Sequence, residues 1–206
     1  MSFVESVVVR DPHDVERRLA ELKLGPRHRL LAVVAIAIAA GADATAFYPL
    51  NAAGTLAYQH GTAALREEFV DEDWALDRSD GVEAIRDDKA KVKVIFANVD
   101  TACRNDLKPK PRSRKGAGSE RACMGNLFGS LPEYAPRQPD GWATYYLMVD
   151  ENGSAELTRP VVKDGTFTAY IERIFLAEDG ILERDPFDSH KDDEADEFDP
   201  QVIRKK

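Results

Sequence analysis

The chain has 206 residues, of which 43% are hydrophobic and 32% are charged, and its formal net charge is −9. This length and composition suit a folded domain with its own hydrophobic core, and they exclude a chain that is disordered throughout. Two cysteines are too few for a disulfide-rich scaffold, and a mean hydropathy of −0.42 excludes a polytopic membrane protein. The negative charge argues against a protein that coats nucleic acid with its whole surface.

Three helices are predicted in the first half of the chain. The first, near 12–24, starts with Asp11 as its N-cap and Pro12 at its first helical position. A second helix is expected at 26–40 and a third at 51–69. One face of the third helix predicts tight packing against a neighbouring element, with a ligand cleft as the alternative. That face consists of Gly54, Tyr58, Gly61, Leu65 and Phe69.

The apolar segment 30–40 has two interpretations. It is about half as long as a membrane span, which needs roughly 20 residues. Basic residues at 27–29 and the small-x-small sequence at 42–44 resemble the flanks of a signal peptide. The preceding 29 residues, however, carry helix signals of their own, which favours a buried, alanine-rich helix. We therefore expect a cytoplasmic protein with no membrane association, and export is the alternative.

Strand patterns dominate the second half of the chain. Apolar runs at 92–99 and 142–149 predict two strands, and tight-turn signals separate the second run from two further runs at 154–162 and 166–176. The last three runs predict an antiparallel meander, in which Pro160 must lie at an edge or a bulge.

Together these elements predict an α+β fold, in which N-terminal helices pack on a C-terminal antiparallel sheet. We expect a single domain over 1–182, with a helical part at about 1–85 and a sheet part at about 90–182. The remaining segment, 183–206, is acidic and carries few large apolar residues, so we predict a disordered tail.

A strongly acidic segment lies at 66–88, with ten acidic and three basic residues. Its simplest interpretation is a solvated surface that is anchored by Trp74. The alternative is a patch that recruits a basic protein partner or mimics the charge of DNA, and the acidic tail offers a second place for such a partner.

A basic loop at 104–121 stands out in this acidic protein, with seven basic and two acidic residues. Its Lys-Pro-Lys-Pro stretch predicts an extended backbone, and the following Gly-Ala-Gly can bring backbone N–H groups close to an anion. Lysine and arginine side chains can add charge-assisted hydrogen bonds to phosphate. The candidate ligand-binding residues are Lys108, Lys110, Arg112, Arg114, Lys115, Gly116, Gly118 and Arg121.

Several ligands fit the composition of the basic loop. The Walker spacing and the dinucleotide-binding glycine pattern are both absent, since Arg121 stands where the last glycine would be. A nucleic-acid backbone, a nucleotide-like phosphate ligand, or no specific ligand at all remain open. Aromatic residues after the loop favour single-stranded nucleic acid slightly if they are exposed, although core packing is their simpler explanation. These residues are Phe128, Tyr134, Trp142, Tyr145 and Tyr146.

No motif in the sequence points to an enzyme. Asp100, at the end of the strand predicted at 92–99, is the best single carboxylate, and a turn or cap role explains it more simply. Cys103 and Cys123 are expected to be two buried thiols in a cytosolic protein, or a disulfide if the chain is exported. No metal and no cofactor are indicated. The leading hypothesis is a non-enzymatic nucleic-acid-associated protein. The alternatives are a nucleotide-binding enzyme or sensor that uses the same loop, and an acidic interaction or DNA-mimic module.

Overall fold

A computed structural model describes residues 6–71, 73–124, 126, 141–178 and 180, and the tail predicted at 183–206 lies outside these residues. In these residues the long helices come first along the chain, and most of the strands follow them. The elements are β1 (Val7–Val9), α1 (Pro12–Glu21), α2 (Arg27–Ala42), α3 (Ala52–Phe69), β2 (Ala75–Asp77), a 3₁₀ turn (Ser79–Gly81), β3 (Ala84–Asp87), β4 (Val92–Asn98), α4 (Ala117–Ala122), β5 (Ala143–Val149), β6 (Ala155–Lys163) and β7 (Thr166–Ala177).

Local signals account for the ends and the buried faces of the first helices. The carboxylate of Asp11 accepts hydrogen bonds from the backbone N–H groups of His13 and Asp14, and thereby caps α1. Helix α2 buries Leu30 and Val34 completely, as the buried-helix interpretation of its sequence expects. Among the described residues, no helix combines the length and the apolar character that a membrane crossing requires.

The strands form one mixed sheet with the order β1-β7-β6-β5-β4-β3-β2. Strands β5, β6 and β7 form the predicted antiparallel meander, and Pro160 lies beside a register shift, as its missing N–H demands. The prediction of an antiparallel sheet is nevertheless wrong, because β4 pairs with β5 and β1 pairs with β7 in parallel. The long connection over 99–142 lets the chain cross back and enter β5 in the direction of β4.

The two faces of the sheet are covered differently. One buried cluster joins residues of α1, α2 and α3, such as Leu19 and Leu65, to strand residues such as Phe96 and Leu147. A second cluster on the opposite side contains Tyr146, Met148 and Phe167 together with residues that follow β4, such as Ala102 and Cys123. The helices therefore pack on one face, and described residues of the connection between β4 and β5, Ala102 and Cys123 among them, pack on the other.

Candidate functional site

A buried ion pair fixes the start of the basic loop to the sheet. Arg173 of β7 and Glu156 of β6 form two hydrogen bonds, of 2.6 and 2.9 Å, and their side chains are only 4% and 0% exposed. The same arginine donates to the carbonyl of Arg104 at 2.9 Å, and the same carboxylate accepts from the backbone N–H of Cys103 at 2.7 Å. Both charges thus have partners, as burial requires.

The middle of the loop is held by hydrogen bonds to Asp100, which follows β4, and to Tyr170 of β7. The carboxylate of Asp100 accepts from the backbone N–H of Lys110 at 2.7 Å, and the carbonyl of Lys110 accepts from the N–H of Asp100 at 3.0 Å. The hydroxyl of Tyr170 donates to the carbonyl of Pro109. Asp100 therefore has the structural role that its position at a turn suggests.

In the Lys-Pro-Lys-Pro stretch, the side chains alternate between exposed and buried positions. Pro109 is buried, and Pro111 is half-buried and pairs with Val99 across an isolated bridge. Lys108 and Lys110, which precede the two prolines, are exposed. The alternation has the period of two that an extended chain gives. The prolines therefore face the protein, whereas both lysines are exposed, with the Nζ of Lys108 5.8 Å from the ring centre of Tyr170.

The seven cations of the basic loop fall into three groups. Lys108, Lys110 and Arg114 are exposed, and none of them forms an ion pair with any residue that the structure describes. Three arginines have acidic partners at 2.5 to 2.9 Å: Arg104 with Asp106, Arg112 with Glu151, and Arg121 with Asp80.

Lys115 is the exception among the loop cations, because it is half-buried. Its Nζ lies 5.6 Å from the ring centre of Tyr146 and 5.7 Å from that of Phe167. Burial lowers the pKa of this amine to about 8, and the nearby thiol of Cys123 offsets part of the change. Lys115 thus lies against two buried rings, unlike the three exposed cations.

The two glycines of the loop differ in their surroundings. A Cβ on Gly118 would lie 2.2 Å from the carbonyl oxygen of Asp80, so this glycine allows α4 to pack closely on the 3₁₀ turn. A Cβ on Gly116 would meet nothing within 4 Å. Packing alone therefore accounts for Gly118, whereas the open position of Gly116 carries no such requirement.

The two cysteines and two of the aromatic residues near the loop belong to the core. Cys103 and Cys123 are free and buried, and burial raises the pKa of each thiol to about 12. Tyr145 and Tyr146 are buried as well, which leaves neither ring available for stacking on a base. Trp142 is half-buried beneath two lysine ammonium groups. Phe128 and Tyr134 lie outside the described residues.

Most of the acidic segment 66–88 is neutralised within the protein. Asp77 of β2 pairs with Lys93 at 2.6 Å, and Asp87 of β3 pairs with Lys23 at 2.9 Å. Hydrogen bonds from Lys93 and Ser79 lower the pKa of Asp77 to about 2, although its burial acts in the opposite direction. Of the nine acids that the structure describes in this segment, seven form ion pairs: Glu68, Asp73, Asp77, Asp80, Glu83, Asp87 and Asp88.

The structure also contains a cleft that the sequence indicates only indirectly. It opens between α2 and α3 at the ends of β4 and β5, and Gly54 is part of its wall. The glycine-containing face of α3 therefore has two roles. A Cβ on Gly61 would lie 2.5 Å from the ring of Phe96, whereas one on Gly54 would meet only the amide of Asn98, at 3.7 Å. Tight packing applies at Gly61 and an open cleft at Gly54.

Comparisons with protein-family models, with curated proteins and with solved structures gave no match to this chain. Within the described residues, no group of three or more histidine, cysteine or acidic side chains is placed to hold a metal ion.

Proposed function

We propose that the protein binds the phosphate backbone of a nucleic acid through Lys108, Lys110 and Arg114, without catalysing a reaction. The observation that carries the proposal is that these three cations are exposed and have no acidic partner among the residues that the structure describes, while the other three exposed arginines of the loop are paired. An unpaired surface cation can bind a phosphate oxygen without first giving up an ion pair.

The anchoring of the loop supports the same proposal. The backbone that carries Lys108 and Lys110 is bonded to Asp100 and Tyr170, so the two ammonium groups project from a segment that is already ordered. Less conformational entropy is then lost when an anion binds than if a free chain had to be ordered. The negative charge elsewhere on the protein limits contact to this one surface.

Three phosphate contacts set the expected salt dependence. The slope of log K against log salt is about −2.7 for duplex DNA and about −2 for a single strand. Between 50 and 200 mM salt, the affinity for duplex DNA should then fall about 40-fold. The predicted preference for single strands depends on exposed aromatic rings near the loop. Tyr145 and Tyr146 are buried, so neither ring supports that preference.

Fluorescence anisotropy with labelled single- and double-stranded DNA and RNA at these two salt concentrations tests the proposal. We expect weak binding at 50 mM salt that decreases with the slopes given above. An affinity that does not change with salt, or no binding at 50 mM, contradicts a backbone contact.

A nucleotide-binding enzyme or sensor is the second candidate for the same loop. The open backbone at Gly116 is its support, since packing explains Gly118. A nucleotide at one hundred times its dissociation constant should stabilise the protein by about 2.7 kcal/mol. A panel of nucleotides that leaves the melting temperature unchanged contradicts this candidate. The acidic-partner alternative has less support, because internal ion pairs already occupy most of the acids at 66–88.

A further inference from the structure

The cleft between α2 and α3 lies where neighbouring parallel strands end. Asn98 and Val149 are the last residues of β4 and β5, they face each other in the parallel register, and both line the cleft. In sheets with parallel strands, ligands commonly bind outside the carboxyl ends of those strands, where the flanking helices leave a crevice. The position of the cleft is therefore that of a ligand site.

Small residues on the two helices create the space. The walls from α2 and α3 are almost entirely apolar and consist of Ala37, Ile38, Gly41, Ala42, Ala53, Gly54 and Ala57. The cleft has a volume of about 250 Å³. A water molecule takes up about 30 Å³ in the liquid, so the space matches a ligand of about eight non-hydrogen atoms.

The polar part of the lining carries oxygen acceptors that are not fully used. The amide nitrogen of Asn98 donates to the carbonyl of Gly54 at 2.7 Å, which leaves the amide oxygen of Asn98 as an acceptor. Glu151 uses one carboxylate oxygen for Arg112 and keeps the other. Within the described part of the chain, the carboxylate of Asp150 accepts hydrogen bonds from backbone N–H groups and forms no ion pair.

The charges of the lining consequently sum to −1, with Arg112 as the positive member and Asp150 and Glu151 as the negative members. The two carboxylates would repel an anion with an apolar body. A neutral ligand would leave the excess negative charge uncompensated. An ammonium group can donate to the amide oxygen of Asn98 and to the second carboxylate oxygen of Glu151, and its positive charge compensates the excess negative charge of the lining.

We propose that this cleft binds a small amphipathic primary amine, with its apolar body against the alanines and glycines of α2 and α3 and its ammonium group at Asn98 and Glu151. The site is separate from the three exposed cations of the basic loop. Evidence against the proposed function would therefore not contradict this inference.

Three probes of equal chain length test the proposal: heptylamine, 1-heptanol and heptanoate. Titrations followed by ¹H–¹⁵N NMR measure the affinity and show which backbone amides shift. We expect heptylamine to bind at least tenfold more tightly than 1-heptanol, heptanoate to bind least, and the shifts to concentrate at Gly41, Gly54 and Asn98. Shifts that are scattered over the surface, or tighter binding of heptanoate, overturn the proposal.

A variant that fills the cleft, paired with a control variant elsewhere, tests whether the ligand binds there. Gly54→Leu places a side chain in the space that the ligand would occupy, and the nearest atom to its Cβ is 3.7 Å away. Gly116→Leu makes the same change at an exposed position with no neighbour within 4 Å. We expect the first variant to lose heptylamine binding and the second to keep it. Wild-type affinity in a folded Gly54→Leu variant contradicts the proposal.

A second variant keeps the test valid if Gly54→Leu does not fold. Glu151→Gln changes a side chain that is 65% exposed and removes one negative charge from the cleft. The affinity for heptylamine should then fall to that for 1-heptanol, and an unchanged ratio of the two affinities counts against the ammonium contact. Replacing Lys108, Lys110 and Arg114 by glutamine should leave heptylamine binding unaltered, which separates this site from the loop.

Discussion

Removing Arg173 should reveal how strongly the buried ion pair stabilises the protein. Arg173→Met removes two hydrogen bonds to Glu156, of 2.6 and 2.9 Å, and one of 2.9 Å to the carbonyl of Arg104. The carboxylate of Glu156, which is fully buried, then keeps the backbone N–H of Cys103 and the hydroxyl of Thr158 but no compensating charge. A buried charge left without its partner costs about 3–5 kcal/mol.

Urea unfolding followed by tryptophan fluorescence measures this cost. With an m-value of about 2 kcal/mol per molar, the midpoint should fall by roughly 1.5–2.5 M. The double variant Glu156→Gln, Arg173→Met leaves a neutral amide instead of a charge, so it should recover about 2 kcal/mol of that loss. An Arg173→Met variant within 1 kcal/mol of the wild type, or a double variant no more stable than the single one, refutes the reasoning.

Three further changes test other parts of the structure. Lys115→Met should be more stable than the wild type at pH 7, because burial lowers the amine pKa in the folded wild type and so makes the charged form unfavourable there. Between pH 8 and pH 10.5 the unfolded wild type binds a proton that the folded protein has lost, so the wild type gains stability and the advantage of the variant should shrink. Urea titrations of both proteins at several pH values measure this change. Gly61→Ala should destabilise by about 1–3 kcal/mol through its clash with Phe96, whereas Gly116→Ala should be neutral or slightly stabilising, as thermal unfolding would show. Asn126→Ala removes a side chain that hydrogen-bonds the backbones of β5 and β6, and should cost more than 2 kcal/mol by urea unfolding; a loss below 1 kcal/mol contradicts its bridging role.

Local sequence signals were sufficient to predict the meander of β5, β6 and β7. The turn before β6 contains Gly153 with φ of 82°, and the turn before β7 contains Asp164 and Gly165 with φ of 55° and 81°. Residues that favour positive φ, placed between apolar runs, predict such turns because the requirement is local. The missing N–H of Pro160 likewise predicts an edge or a bulge, and a register shift lies beside this residue.

The parallel pairs and the side-chain faces could not be predicted in this way. No local pattern indicates that β5 pairs with β4 across the connection 99–142, since either direction would bury its apolar residues. Strict alternation along β7 places Ala169 and Ile171 on the face of Phe167, yet Tyr170 packs there because the pairing with β6 shifts register.

The composition of the basic loop was visible in the sequence, but the division of its cations was not. Arg112 and Arg121 have partners at Glu151 and Asp80, which are about 40 residues away in the chain. Only the folded structure shows that these charges are compensated and that Lys115 is half-buried. The cleft at Gly54 likewise depends on how α2, α3 and the strand ends come together.

The most direct test of the proposed function compares two variants that lose the same charge from the same loop. The first replaces the exposed cations Lys108, Lys110 and Arg114 by glutamine. The second replaces the paired arginines by glutamine, namely Arg104, Arg112 and Arg121.

Both variants are titrated against labelled duplex DNA at 50 and 200 mM salt. We predict that the second variant keeps the wild-type affinity and its decrease of about 40-fold, while the first binds weakly and with almost no salt dependence. Equal losses in the two variants would mean that only the net charge of the loop matters, and would contradict the assignment of phosphate contacts to Lys108, Lys110 and Arg114.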